Sequence, residues 1–396
     1  MMKTHEAPDR RPPTGVRFWT PLRVWMVLLL IPAVGFTVPR LWRGADPADA
    51  EAAREVLRAA AWQAVQDGQI ERDNGAIYAV DVAQLATYAA LAGDRELFDP
   101  LREIILEKLL VRRVPGDPAH GMVAWRYLPE PPHHDASGTT EALRAAEALW
   151  AGQIAFGTDD RDTVALIMDA YLRHAAVDNG VWMIRNYFNL HPEVYHFVTN
   201  SFLVDYDPDL MDRLAQAYDR PDWAEVAEAS AALIERARTP AGLLHQMIRP
   251  EVATIMPAFA AGGLYSINGV EQLSNVLTVA ERCTQTNPEV SQAALRFSRS
   301  RMPQLRLFYD ARTGRRARRE GPVGDTWAGV ETWGPLLRLA VKLGDERTER
   351  EATAKVIRLS RGFPAYTGED RLYLLSEALL ALEYAVQAQA ERNNAP

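Results

Sequence analysis

The stretch "IYAVDVAQLATYAALAGDRELFD", residues 77–99, sets a carboxylate among apolar side chains. Val82, Leu85, Ala86 and Ala89 recur at helical spacing, and Asp81 stands just ahead of them between Val80 and Val82. Two readings of Asp81 follow. With Gln84 three residues on, it matches an Asp-x-x-Gln capping box. Enclosed by two valines at the mouth of a cleft, it would instead have its pKa raised by burial, as a proton donor near neutral pH requires. A second group of polar residues lies in "DASGTTEAL", residues 135–143. Asp135 and Ser137 read as loop or cap residues, and Glu141 as a first-turn acid facing the positive end of a helix. Aromatic residues crowd into two irregular stretches, 111–137 and 181–206. Each is either core material with a satisfied polar tip or part of a lined cleft. No Cys/His group has zinc-like spacing, and the adjacent His133 and His134 suit a loop, so neither a metal nor another cofactor is expected.

The chain that must position these residues is 396 long with a formal charge of -8. That length suffices for one large domain, and the acidic balance argues against nucleic acid as a partner. Cys283 is the sole cysteine, which excludes an internal disulfide. Lys3, Arg10, Arg11 and Arg17 precede the apolar run "VWMVLLLIPAVGFTV", residues 24–38. With "FWTPLR" upstream the run reaches a marginal spanning length, with Trp19 and Trp25 suited to the interface. The expectation is a basic cytoplasmic segment (1–18), an uncleaved transmembrane signal anchor (19–38) and a linker (39–46). The remainder would lie on the extracytoplasmic side of the cell membrane. A cleaved signal peptide and a buried soluble helix are the other readings of this run.

From Asp46 onward one helix follows another. "DPADAEAAREVLRAAAWQAV" opens the series with a proline where a first turn tolerates it. Helices are expected near 81–92 and 95–110, with further starts near 139, 160, 207, 221, 266, 288, 326, 346 and 369. Strand signals are weak, the best being a short hairpin around Thr313-Gly314 in "QLRLFYDARTGRRARREGPV". Its Arg312, Arg315, Arg316, Arg318 and Arg319 read as a solvated hairpin or as a surface for an anionic polymer or lipid headgroups. About a dozen paired helices without a fixed-period repeat suggest a closed toroid of six inner and six outer helices over 47–390, followed by a short tail, 391–396. The fold class is therefore all-α, an (α/α)6 toroid with one short hairpin.

The order of segments resembles glycoside hydrolase family 8, particularly the cellulases that accompany bacterial cellulose synthases. The resemblance covers most of residues 70–390. "YAVDVAQLATYAALAGDRELFD" is similar to the family's early helix, which opens on Ser-Glu-Gly. "MVAWRYL" is similar to its following aromatic segment, and "DASGTTEALRAAEALWAG" to its Asp-rich loop and next helix. "NLHPEVY" falls where the family has Asn-Pro-Ser-Tyr, and "GLYSINGVEQL" where it has Tyr-Asp-Ala-x-Arg. "TGRRARREGPVGDTWAG" is similar to its Gly-Pro-Val-Gly hairpin. Asp81 occupies the place of the family's acid Glu. Gly138 or Thr139 stands where an Asp would bind the distorted sugar, and Ser266 follows Tyr265 in place of an Asp.

The resemblance implies an (α/α)6 barrel and inverting cleavage of a β-1,4-glucan or related exopolysaccharide. Inversion needs two carboxyl groups roughly 6.5–9.5 Å apart, one an acid and one activating water. Asp81 is the candidate acid, with Glu141 or Asp135 as the second group. Glu271 lies near Ser266 in sequence but more than a helical turn inside. Trp125, Tyr127, Trp182, Arg185, Asn186, Tyr187, Tyr195 and Tyr265 are the candidate sugar-binding residues. The alternative is a relative that has lost catalysis and binds or guides a glycan. Partners would be a polysaccharide, the membrane, and a polysaccharide synthase or export complex.

Overall fold

The computed structural model describes residues 47–72, 74–250, 263–317, 326–366, 368 and 370–394. The expected segments 1–18, 19–38 and 39–46, and Arg318 and Arg319 of the basic run, lie outside them. Among the described residues no helix is long and apolar enough to cross a membrane.

Twelve α-helices are described: α1 (Pro47–Gln66), α2 (Ala79–Leu91), α3 (Arg95–Ile104), α4 (Thr139–Phe156), α5 (Arg161–Leu172), α6 (Pro208–Tyr218), α7 (Pro221–Arg236), α8 (Leu273–Glu281), α9 (Pro288–Arg299), α10 (Val330–Lys342), α11 (Glu346–Ser360) and α12 (Arg371–Asn394). They pack as six pairs: α2 with α3, α4 with α5, α6 with α7, α8 with α9, α10 with α11, and α12 with α1. The even-numbered helices form the inner ring. Residues of α2, α4, α10 and α12 are buried around most of the helix circumference, as a helix enclosed by neighbours requires. Direct packing links α8 to α10, α10 to α12, α12 to α2 and α2 to α4. Between α4 and α8 the ring is completed by α6 and by the 3₁₀ turn Leu203–Asp205, which touches both. The last inner helix takes the first as its outer partner, and Arg54 of α1 holds Glu383 of α12 at 2.9 Å.

Local sequence explains the starts of the outer helices and where they stop. Asp94 and Asp345 accept the amides of Leu97 and Thr348 as side-chain caps of α3 and α11. Pro221 and Pro288 sit in the first turns of α7 and α9. The expected 95–110 helix changes to a π-turn at Ile105–Leu109. The helix expected from 266 starts only at Leu273, because Val270–Gln272 is extended and pairs with Phe308–Asp310.

Nine short strands are described, in four small sheets: β1 (Ile77–Tyr78) with β2 (Arg126–Tyr127); β3 (Ala175–Asp178) with β4 (Val181–Ile184); β5 (Ser201–Phe202), β6 (Met247–Ile248) and β7 (Leu264–Tyr265) in that order; and β8 (Val270–Gln272) with β9 (Phe308–Asp310). The expected hairpin around Thr313-Gly314 is present, with Gly314 at φ +64°, a bridge from Tyr309 to Arg316, and the Asp310 and Ala317 amides bonded to the Arg315 and Phe308 carbonyls. On its other edge β9 pairs with β8.

Charges lie inside the ring. Arg338 of α10 is 2 % exposed and forks onto Glu281 of α8 at 2.6 and 3.0 Å, with a third bond to Glu377 of α12 at 2.5 Å. Gln84 of α2 donates to the other Glu377 oxygen at 2.5 Å. Three inner helices are thus joined through one guanidinium, and a fourth, α2, joins them through Glu377. Burial opposes ionisation of Glu281, but Arg338 and Lys342 outweigh it and hold its pKa below the usual value. Arg338→Met should lower unfolding stability by about 3–5 kcal/mol at pH 7, because two buried carboxylates lose their counter-charge. Urea unfolding should show the deficit shrinking as pH falls, because protonation removes the buried charge that the substitution leaves unpaired.

Candidate active site

In each hairpin the inner helix runs the same way round the ring, so the N-termini of the inner helices gather at one end. A carboxyl group stands in the first turn, or just ahead of it, in most of them: Asp81 in α2, Glu141 in α4, Asp205 and Asp207 before α6, Glu331 in α10 and Asp370 before α12. Helix dipoles favour negative charge there.

Asp81 is not a cap. Tyr78 is the N-cap residue of α2, Asp81 is the third helical residue, and Gln84 is engaged with Glu377, so the capping-box reading is corrected. The Asp81 carboxylate is 0 % exposed and receives the Arg72 guanidinium as a fork, at 2.9 and 2.8 Å. Burial pushes its pKa up and Arg72 opposes the shift. A carboxylate forked in this way has both oxygens occupied.

Glu141 has the freer carboxyl. It is the third residue of α4, as expected, partly exposed, and its pKa is pushed up to about 7, by burial first, with Asp81 adding repulsion. The carboxylate folds back over the N-cap residue Gly138, where a Cβ would lie 1.8 Å from Oε2. Gly138 therefore makes room for the Glu141 carboxylate. Asp205 lies alongside, 2 % exposed, accepting the Thr140 hydroxyl at 2.9 Å and the Phe202 amide at 3.1 Å. Burial, with Glu141 nearby, brings its pKa to about 7 as well. Gly329 and Glu331 repeat the device at α10: a Cβ on Gly329 would lie 2.3 Å from the Glu331 carboxylate, whose pKa burial also raises.

Asp135 serves the wall of this end. It accepts the Trp125 indole N–H at 2.7 Å and the Arg126 guanidinium at 2.7 Å, and so holds the aromatic segment in place. Trp125 meets Tyr78 edge-on and carries Arg126 over its ring, 4.3 Å from the centroid. Tyr127 stacks on His133 with ring planes 5° apart, while His134 binds the Lys108 carbonyl. From the second aromatic stretch, Trp182 lies against Tyr206 and Arg185 pairs with Asp178 at 3.3 Å. The Asn186 carbonyl accepts both the amide and the hydroxyl of Thr139, which ties that stretch to the start of α4. Tyr187 is partly exposed, and its carbonyl accepts the Val198 amide. Tyr195 is 36 % exposed and donates its hydroxyl to Asp117. Tyr265 pairs with Met247 in the β5–β6–β7 sheet, and the amide of Phe202, the last residue of β5, donates to Asp205.

Three groups here carried no sequence signal that singled them out. Arg72 stands just outside the 77–99 stretch, Asp205 is one of three acids in "LVDYDPD", and His245 is a lone histidine in "LLHQM". Two clefts of about 490 and 640 Å³ open where the inner helices end, one lined by Arg58, Tyr88 and Asp94, the other by α1, α11 and α12. They lie away from the carboxyl groups. Among the described residues no group of three or more His, Cys, Asp or Glu side chains is arranged to hold a metal ion.

A ring of six helix pairs is the family 8 glycoside hydrolase-like (α/α)6 fold. A family 8 protein solved as a xylobiose complex, from Teredinibacter turnerae, superposes with a TM-score of 0.58 at 15 % identity over 89 % of this chain and 96 % of its own. A novel alpha-amylase from Clostridium perfringens gives 0.61 at 16 % identity over 78 % and 86 %. The endoglucanase Cel10 of Klebsiella pneumoniae, a family 8 glycosyl hydrolase, gives 0.53 at 16 % identity over 76 % and 98 %. No protein-family model and no curated protein matches the chain.

The raised pKa of Glu141 has a thermodynamic consequence. A carboxyl titrating near 7 when folded and near 4.5 when unfolded favours the folded state most below pH 4.5 and loses that contribution as pH rises to 7. Glu141→Gln should remove this decline, so its melting temperature should gain on wild type across that window. Gly138→Ala should cost only about 0.5–1 kcal/mol, since the obstructed atom ends a flexible side chain. It should nonetheless displace the Glu141 carboxylate and lower any turnover by about 10²-fold.

Proposed function

We propose that the protein is a glycoside hydrolase-like enzyme that cleaves an extracellular polysaccharide, a β-1,4-glucan or related exopolysaccharide, with inversion. The observation that carries the reading is the Glu141 carboxyl: partly exposed, at an inner-helix N-terminus, with its pKa brought to about 7 by burial. Such a group holds its proton near neutral pH and can deliver it to a leaving glycosidic oxygen. Asp205 backs Glu141, and Asp81 supplies fixed negative charge from its pairing with Arg72. Asp135 positions the aromatic wall of Trp125 and Arg126, on which a pyranose face can rest. The solved similar structures include a family 8 xylanase with substrate and a xylobiose complex, which supports a glycan occupant at this end.

The reading includes the N-terminal anchor over 19–38, which would hold the barrel on the outer face beside a polysaccharide synthase or export complex. It is supported by the basic residues ahead of the apolar run. One observation favours the second reading, a glycan-binding protein without turnover: Asp81, at the family's acid position, is sealed from solvent by Arg72.

The test is the release of new reducing ends from soluble β-1,4-glucan, β-1,4-xylan and an acidic exopolysaccharide. Glu141→Gln should reduce turnover by about 10²–10⁴-fold, whereas Asp81→Asn should mainly lower stability by stranding Arg72. Wild-type binding without turnover on any of the three would establish the second reading.

A further inference from the structure

Across the same end of the ring lies a chain of three polar side chains that the sequence reading did not join. His245 Nδ1 is 2.7 Å from Ser266 Oγ, and 3.7 Å from Glu271 Oε1. Glu271 is 2 % exposed, and its Oε1 has no hydrogen-bond partner. Burial pushes its pKa up, and its contacts with His245 and Ser266 oppose that. His245 is partly exposed, with 25 % of its side chain open, and its contacts with Ser266 and Glu271 are made by Nδ1. Both groups thus face Nδ1; in the Nδ1–H form the ring donates to Ser266 Oγ with Glu271 close by, and Nε2 carries the lone pair.

The location relative to Glu141 follows from backbone bonds. Gln246, the next residue, accepts the Leu203 amide at 3.0 Å; two residues on, Asp205 accepts the Thr140 hydroxyl, and Glu141 follows Thr140. Ser266 directly follows β7, which pairs with β6 just after His245. The imidazole and the Glu141 carboxyl are therefore carried by adjoining segments at one end of the barrel.

Resting on the hydrolase reading, we infer that His245 is the proton acceptor that activates water, held in its Nδ1–H form by Ser266 and Glu271 as positioning residues. Water loses a proton to His245 Nε2 and its oxygen bonds the anomeric carbon as the glycosidic C–O bond breaks. The leaving oxygen takes the proton of Glu141. The resulting imidazolium faces Glu271, whose unpaired Oε1 offsets its charge, and proton exchange with solvent restores both groups. Water adds opposite the leaving group, so the product anomer is inverted. Ser266, which cannot act as a base itself, thereby keeps a role by orienting one that can.

The experiment uses full-length protein labelled with ¹⁵N-histidine, the His245 signals being assigned by their loss in His245→Gln. Wild type should show a protonated Nδ1 and a lone-pair Nε2, and the Ser266→Ala/Glu271→Gln double variant should show tautomer exchange. On the three polysaccharides, His245→Gln should lower kcat by about 10²–10⁴-fold with KM little changed, and the double variant should show a smaller loss. An Nε2–H tautomer in wild type overturns the positioning by Ser266 and Glu271. Turnover that survives His245→Gln in a folded variant overturns the base role alone. Absence of wild-type turnover overturns the hydrolase reading and the base role with it, while the spectra still decide the tautomer.

Discussion

The guanidinium of Arg338 sits where four inner helices meet, and the ring depends on its pairing. Six parallel inner helices cannot all present apolar faces to a common axis without either collapsing the ring or leaving a void. Here the axis is filled by charge, with Arg338 forked on Glu281, bonded to Glu377, and Gln84 completing the set from α2. These bonds have defined directions and lengths, so they tie the rotation and height of α8, α10, α12 and α2 to one another. Gly334 of α10 shows how close the fit is: a Cβ there would lie 2.3 Å from the Glu377 carboxylate.

That same parallel arrangement creates the site. It collects the positive ends of the inner-helix dipoles, where carboxyl groups are electrostatically welcome, yet buries several of them enough to raise their pKa values. Burial is the largest effect for Glu141, Asp205 and Asp81 alike, and what sets Asp81 apart is the arginine fork on both its oxygens. Arg72 reaches both oxygens of Asp81 and closes it off, whereas Arg282 acts on Glu141 through its charge alone. Three carboxyls a few residues from helix starts thus take different chemical characters from their immediate partners. Glycine at positions 138 and 329 gives the neighbouring glutamates the space to fold back over their own helix ends.

Around this end the aromatic loops are held by polar bonds rather than by the helical core. Asp135 fixes Trp125 and Arg126, and the Asn186 carbonyl fixes Thr139, so the wall and the first turn of α4 move as one piece. The short sheets do the same for distant chain segments, β6 joining the strands on either side of it and carrying His245 toward Asp205.

Helical periodicity in the sequence was enough to determine the number of helix pairs, because each outer helix needs an apolar stripe and each inner one an apolar surround. It also placed Glu141 in a first turn, and the aromatics in the two irregular stretches. The hairpin at Thr313-Gly314 was legible, but the second partner of β9 was not: β8 lies far off in the chain, and pairing between remote two- or three-residue strands leaves no local pattern. Asp81 looked like a cap because Gln84 stands three residues on, but Glu377, 293 positions away, takes that glutamine. Which carboxyl keeps its proton, and which nitrogen of His245 faces outward, depend on Arg72, Asp205, Ser266 and Glu271. Those neighbours meet only when the ring closes, and the energies that set protonation fall off over a few ångströms of space, not along the chain.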